Sequence, residues 1–134
     1  MAISVTISQR ELKRLAALGY EGETLKVMLC EVGESGFTAE STVANWQSVE
    51  VSGGGYTRYS VAIGTGTYSE VTASYNLPTV DAVFAATGTG FSYDRIISYI
   101  DGETYIHSEI VEDPNITLLA GQSQTYRIQL ATDD

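Results

Sequence analysis

Residues 95–111 read Arg95-Ile96-Ile97-Ser98-Tyr99-Ile100-Asp101-Gly102-Glu103-Thr104-Tyr105-Ile106-His107-Ser108-Glu109-Ile110-Val111. Two stretches rich in isoleucine and tyrosine flank Asp101-Gly102. That dipeptide is favoured in two-residue hairpin turns because both positions accept left-handed backbone angles. The stretch therefore reads as a β-hairpin, Arg95–Ile100 paired with Thr104–Val111. Downstream, Asp113-Pro114-Asn115 reads as a break in the chain and Ala120-Gly121-Gln122-Ser123 as a last turn. Tyr126, Ile128 and Leu130 then alternate with Thr125, Arg127 and Gln129, the pattern of a half-buried strand.

Upstream the same grammar repeats. Thr24–Cys30 is a short apolar core strand. Ala39–Gln47 reads as a short helix carrying Val43 and Trp46, with Thr38 or Ser41 as its cap; the spacing of Val43 and Trp46 places the tryptophan against the core. Val49–Val51 is extended. Gly53-Gly54-Gly55 reads as a bulge or tight turn. In Tyr56–Ile63, Tyr56, Arg58 and Ser60 alternate with Thr57, Tyr59, Val61 and Ile63. Gly64–Gly66 turns, Thr67–Ala73 holds another short strand, and Thr79–Ala85 places Val80, Ala82 and Phe84 on one side. Thr87–Gly90 turns again. About seven short strands without βαβ alternation predict a mainly β fold, an antiparallel sandwich or barrel-like domain.

Residues 1–23 differ in character. Ser8 and Glu11 have the spacing of a capping box. Leu12, Leu15, Ala16 and Leu18 form an apolar stripe, Arg10, Lys13 and Arg14 lie elsewhere on the surface, and Gly19 supplies a stop. A helix this short is unstable alone and must dock on something. The expected organisation is a helical arm over 1–23 and a β domain over 24–134.

At 134 residues the chain fits one domain, and 43% hydrophobic with 18% charged residues is a globular composition. The net charge is −10. Four of the seven basic residues, Arg10, Lys13, Arg14 and Lys26, lie in the first 26 positions. The acidic remainder repels phosphate, so nucleic acid is not expected as a partner. No run of eighteen apolar residues and no secretory signal is readable, so no membrane span is expected. With Cys30 as the single cysteine, an intramolecular disulfide is excluded, and its apolar setting predicts a buried thiol.

Signals for chemistry are weak. The one histidine, His107, lies mid-strand with Tyr105 and Glu109, and no nucleophile-elbow pattern accompanies it. Asp81, Asp94 and Asp101 sit near strand ends as conceivable calcium ligands, without the spacing of an EF-hand. The glycine triplet lacks the lysine of a phosphate loop. No catalytic, cofactor-binding or metal-binding residue is assigned, and no cofactor is expected. The positive signal is nine tyrosines, a residue with large contact area and little entropy to lose. Tyr56, Tyr68, Tyr75, Tyr93 and Tyr105 lie in or beside turns or on mixed faces. The candidate interface is accordingly Arg10, Leu12, Lys13, Arg14, Leu15 and Leu18 of the arm with Tyr68, Tyr75, Tyr93 and Tyr105 of the body.

Three stretches carry a resemblance. Thr24-Leu25-Lys26-Val27-Met28-Leu29, then Trp46 through Glu50-Val51-Ser52-Gly53-Gly54-Gly55-Tyr56-Thr57, then the hairpin, proline and Ala120-Gly121-Gln122 entering a closing strand. In this order they resemble a family of small structural proteins of tailed bacteriophages, over most of residues 24–134 and at motif level. The added N-terminal segment and the ending Ala131-Thr132-Asp133-Asp134 depart from that pattern. The resemblance implies a non-enzymatic virion component, assembled in the host cytoplasm. It implies first a capsid decoration or cement protein contacting the major capsid protein or other virion proteins, with homo-oligomers expected. Alternatives are a tail adaptor, fibre or tip component, or a host-surface carbohydrate-binding module using Trp46 or tyrosines as platforms.

Overall fold

The computed structural model describes residues 21–33, 37–38, 40–69, 71, 74–128 and 130, with only the backbone described at 68–69 and 74–76. The fold is mainly β, built from antiparallel sheets with one short helix. Strands β1 (Thr24–Cys30), β2 (Tyr59–Ala62), β6 (Phe91–Ile100) and β7 (Ser108–Leu118) form a sheet in the order β2-β1-β6-β7. Strands β3 (Thr67–Ser69) and β4 (Ser74–Asn76) form a separate hairpin, and β5 (Val80–Ala85) pairs with β8 (Ser123–Ile128). Helix α1 (Val43–Gln47) lies between β1 and β2 in sequence. Among the described residues the sheets do not close into a barrel.

The central strands are apolar on both faces because both faces are covered. Leu25, Val27 and Leu29 of β1 meet Phe91, Tyr93, Ile96 and Ile100 of β6, with Val80, Ala82, Phe84, Tyr126 and Ile128 from the β5–β8 pair. On the opposite face, Met28, Cys30, Ile97 and Tyr99 pack with Val43 and Trp46 of α1. The strict alternation of β5, and of the last residues of β8 from Thr125 to Ile128, follows from their position, one side on the core and the other in solvent.

The helix is shorter than its sequence pattern predicts. It begins at Val43, and its cap is Thr42, not Thr38 or Ser41. Thr42 Oγ1 accepts from Asn45 N at 3.2 Å while Asn45 Oδ1 accepts from Thr42 N at 3.1 Å. This reciprocal pair satisfies otherwise orphaned donors at the helix start. Thr38 and Ser41 instead bond each other through Thr38 N to Ser41 Oγ, 3.1 Å.

The β6–β7 hairpin forms, but not around a two-residue loop. Glu103 N donates to Ile100 O at 3.0 Å, closing a turn at Asp101-Gly102 in which Gly102 has φ of 92°. The ladder begins only at Ser98↔Ser108. Residues in between are drawn to the helix: Val43 N donates to Thr104 O at 2.8 Å, and Thr42 bridges Tyr105. Nor does Asp113-Pro114-Asn115 end the strand. β7 continues past it to pair Ile116 with Tyr93 and Leu118 with Phe91. As β7 is the outermost strand of its sheet, a residue without an N–H removes no central ladder bond.

Register nevertheless slips there. Tyr93 faces Ile116 while Arg95 faces Val111, so residues 112–115 are looped out of the ladder. The inward parity of β6 flips at the same place, from Phe91 and Tyr93 to Ile96 and Ile100. Asp94 and Arg95 are thereby left adjacent on the side away from that core, as a β-bulge requires.

Candidate interaction surface

Two polar regions flank the central sheet, and they are built differently. The first centres on Glu50. Its backbone is held to the end of β1, with Glu31 N donating to Val49 O at 3.1 Å and Val51 N to Leu29 O at 2.9 Å. Arg58 grips the carboxylate in a fork, Nε to Oε2 at 2.9 Å and Nη2 to Oε1 at 2.5 Å. Tyr56 Oη donates to Oε2 at 2.5 Å and itself accepts from Leu29 N at 3.1 Å. Arg58 Nη1 donates to Tyr99 Oη at 2.8 Å. Burial pushes the Glu50 carboxyl toward its neutral form, but the hydrogen bonds from Arg58 and Tyr56 and the guanidinium charge outweigh it. The net effect is to hold the carboxyl below its ordinary value. Tyr56 is pushed up, by burial first and by its bond to Glu50 second.

Glycine makes this arrangement possible. Gly54 has φ of 58°, and a side chain there would overlap the backbone of Gly90; Gly90 has φ of 75°, and a side chain there would overlap the Leu118 carbonyl. Three backbone segments thus stack closely, joined by Thr87 N to Gly54 O at 2.8 Å. The glycine run delivers Tyr56 into the core, stacked on Phe84 at 6.2 Å and edge-on to Phe91 at 5.7 Å.

The second region is the groove left by the looped-out residues 112–115. It measures about 400 Å³ and is lined by Glu31, Gly33, Asp94, Arg95 and residues 111–115. Its floor is fully engaged. Asp94 is 6% exposed and accepts from Val32 N at 2.9 Å and Gly33 N at 2.7 Å. Arg95 donates to the Asp94 carbonyl at 3.0 Å and pairs with Glu109 at 3.2 Å. The rim is not engaged: among the described residues no ion pair involves Glu31, Glu112 or Asp113. Val111, in the same lining, is 54% exposed. The groove therefore presents unpaired carboxylates beside an apolar side chain.

The sequence candidates scatter against this geometry. Tyr105 is 61% exposed, on the stretch that bridges α1. Tyr93, expected at a contact surface, is instead fully buried, its hydroxyl bonded to that of Tyr126 at 2.8 Å. Tyr56, also expected to point outward, is turned inward as described. Tyr68 and Tyr75 face each other across the β3–β4 ladder, and their side chains lie outside the described residues. Arg10, Leu12, Lys13, Arg14, Leu15 and Leu18 also lie outside the described residues. Trp46 is fully buried against Phe37, ring centroids 5.2 Å apart, so it offers no platform for a sugar.

The calcium candidates separate. Asp94 bonds backbone amides, Asp81 pairs with Arg127 at 3.0 Å on the surface, and Asp101 sits in the exposed turn. No group of three potential metal ligands occurs among the described residues. Cys30 is buried, donates to Trp46 O at 3.3 Å and has its thiol pushed up to about 12, chiefly by burial. No helix among the described residues is long and apolar enough to cross a membrane.

Neither Glu31, Glu112 and Asp113 nor the Glu50–Arg58 fork was identified from sequence. The one available signal for the groove was the acidic pair beside Pro114. No family model, no curated protein and no solved structure matches this chain.

Proposed function

We propose that this protein is a non-enzymatic structural component of a bacteriophage particle, a decoration or cement protein that stabilises the shell through protein–protein contacts. The observation that carries the reading is the division of its polar groups. The half-buried Glu50 and the buried Asp94 and Tyr93 serve the chain's own backbone and neighbours, while Glu31 and Asp113 at the groove rim and Tyr105, Val111 and Leu119 are exposed. Exposed tyrosine and aliphatic groups beside unpaired charge suit recognition of another protein surface. The three stretches that resemble tailed-phage structural proteins supply the particle context. Bound at subunit junctions, such a protein raises shell stability by mass action without any reaction.

A cryo-electron reconstruction of the particle carrying this protein tests the reading. Density for the β domain over the icosahedral shell is the expected result. Density confined to the tail would replace decoration by a tail adaptor, fibre or tip role, and absence from the particle would overturn the virion assignment.

A further inference from the structure

We propose that the cavity between α1 and the β6–β7 turn, with Arg58 and Tyr99 in its lining, binds a neutral saccharide unit through its hydroxyl groups. The path of the hairpin loop shapes this cavity. Asp101-Gly102 closes a tight turn, with Glu103 N donating to Ile100 O at 3.0 Å. The chain then leaves β6 for the helix, where Val43 N donates to Thr104 O at 2.8 Å and Thr42 bridges Tyr105. The space beside this detour measures about 570 Å³, within the roughly 300–1,000 Å³ usual for small-molecule sites. Asp101, Glu103 and Thr104 line it from the turn, Gln47 from α1, Arg58 from the residue before β2 and Tyr99 from β6.

Donors and acceptors stand ready on opposite sides of this space. Glu50 takes the Nε hydrogen of Arg58 and one on Nη2, and Tyr99 Oη takes one on Nη1. A guanidinium carries N–H donors beyond these, so one on Nη1 and one on Nη2 have no acceptor among the described residues, on a side chain 32% exposed. The Glu50 fork and the Tyr99 ring, 5.9 Å from the guanidinium carbon, already fix its position, so a ligand need not order it. The acceptors are Asp101, Glu103 and Gln47. All three are exposed, and their side chains make no hydrogen bond or ion pair among the described residues. Charge then selects the ligand. Asp101, Glu103 and the Glu50 bonded to Arg58 outnumber the one guanidinium, so an anion is repelled. An ammonium group offers Arg58 no acceptor. A hydroxyl both accepts and donates, so neighbouring sugar hydroxyls can take the spare N–H groups and give to the carboxylates. The sugar is held by hydrogen bonds, with no part for the buried Trp46. The inference goes beyond the particle reading and is measured on the isolated chain, so the two fail separately.

The test is amide-resolved NMR on the full chain, titrated with glucose, galactose, mannose and N-acetylglucosamine. Glucuronate, glucosamine and acetamide serve as anionic, cationic and amide probes. The expected result is that at least one neutral sugar shifts amides within 42–47, 58 and 99–104 saturably. Asp101→Ala combined with Glu103→Ala weakens that binding about tenfold or more, while Glu112→Gln in the other groove leaves it unchanged. Circular dichroism confirms that each variant is folded. No saturable shift with any of the neutral sugars, or shifts centred elsewhere, would overturn the proposal. So would tighter binding of glucuronate, glucosamine or acetamide than of every neutral sugar, or unchanged affinity in the Asp101 and Glu103 double variant.

Discussion

Glu50 and Glu112 are both glutamates near the ends of the central sheet, and they are used in opposite ways. Both carboxylate oxygens of Glu50 are bonded to Arg58 or Tyr56, and the cluster ties the glycine turn, β1 and β6 into one unit. Glu112 and its neighbour Asp113 hold no ion pair among the described residues, on a stretch that the register slip has pushed out of the ladder. A carboxylate removed from water is tolerated only when its partners replace the water it lost. Glu112, half-buried like Glu50 but without an ion pair among the described residues, has only water to meet its charge on the side open to solvent. The comparison teaches that charge density alone does not mark a contact surface in this protein; partner saturation does.

The largest effect is expected at the glycine stack that supports the Glu50 side. Gly90→Ala combines a left-handed backbone angle with overlap against the Leu118 carbonyl and should cost more than about 3 kcal/mol. Denaturant unfolding would show it, and an unchanged midpoint would mean the three backbones are not in contact.

Next is the cluster itself. Glu50→Ala leaves Arg58 and the Tyr56 hydroxyl without their acceptor and should cost about 2 kcal/mol or somewhat more. Since the Glu50 carboxyl gives up its proton more readily in the folded chain than in the unfolded one, its contribution is complete above the ordinary value of 4.5. It fades as the pH falls through the lower folded value. Unfolding midpoints measured from pH 6 downward should therefore fall more steeply below about pH 4.5 for the native chain than for Glu50→Gln. Parallel curves would remove Glu50 from the acid response.

The groove should behave in the reverse sense. Glu112→Gln with Asp113→Asn should change folding stability by less than about 0.5 kcal/mol. A loss in denaturant unfolding as large as that of Glu50→Ala would erase the contrast. Smallest of all is the surface pair Asp81–Arg127, where Arg127→Ala should move Tm by less than about 2 °C.

Much of the architecture was legible before any coordinates. β1 was bounded at Thr24–Cys30 by its apolar run, while β5 was placed one residue too early and β8 two residues too late by alternation that marks their wet and dry faces. The burial of Trp46 was legible from its spacing with Val43. What failed, failed where distant segments compete for the same backbone groups. The Asp101-Gly102 turn formed, but Thr104 and Tyr105 were captured by α1, which lengthened the loop. Pro114 did not end its strand because β7 is an edge. Tyr93 sits beside a turn in sequence and was read as exposed; it is core because Phe91 and Tyr93 share one parity up to the bulge. Of the candidate surface residues in the body, Tyr105 is the one whose exposure the structure records.

By itself, the sequence determined the mainly β class and the core faces of the outer strands, because a two-residue period on a half-wet sheet leaves one physical solution. It also determined the separation of a basic N-terminal segment from an acidic body, which is a property of the charges alone. The tertiary structure alone decided which carboxylates are consumed and which remain available. That depends on where a register slip expels four residues from a ladder and on which arginine reaches which acid across the sheet. Neither distance is written in any local pattern, since both are fixed only when strands far apart in the chain are packed against a common core.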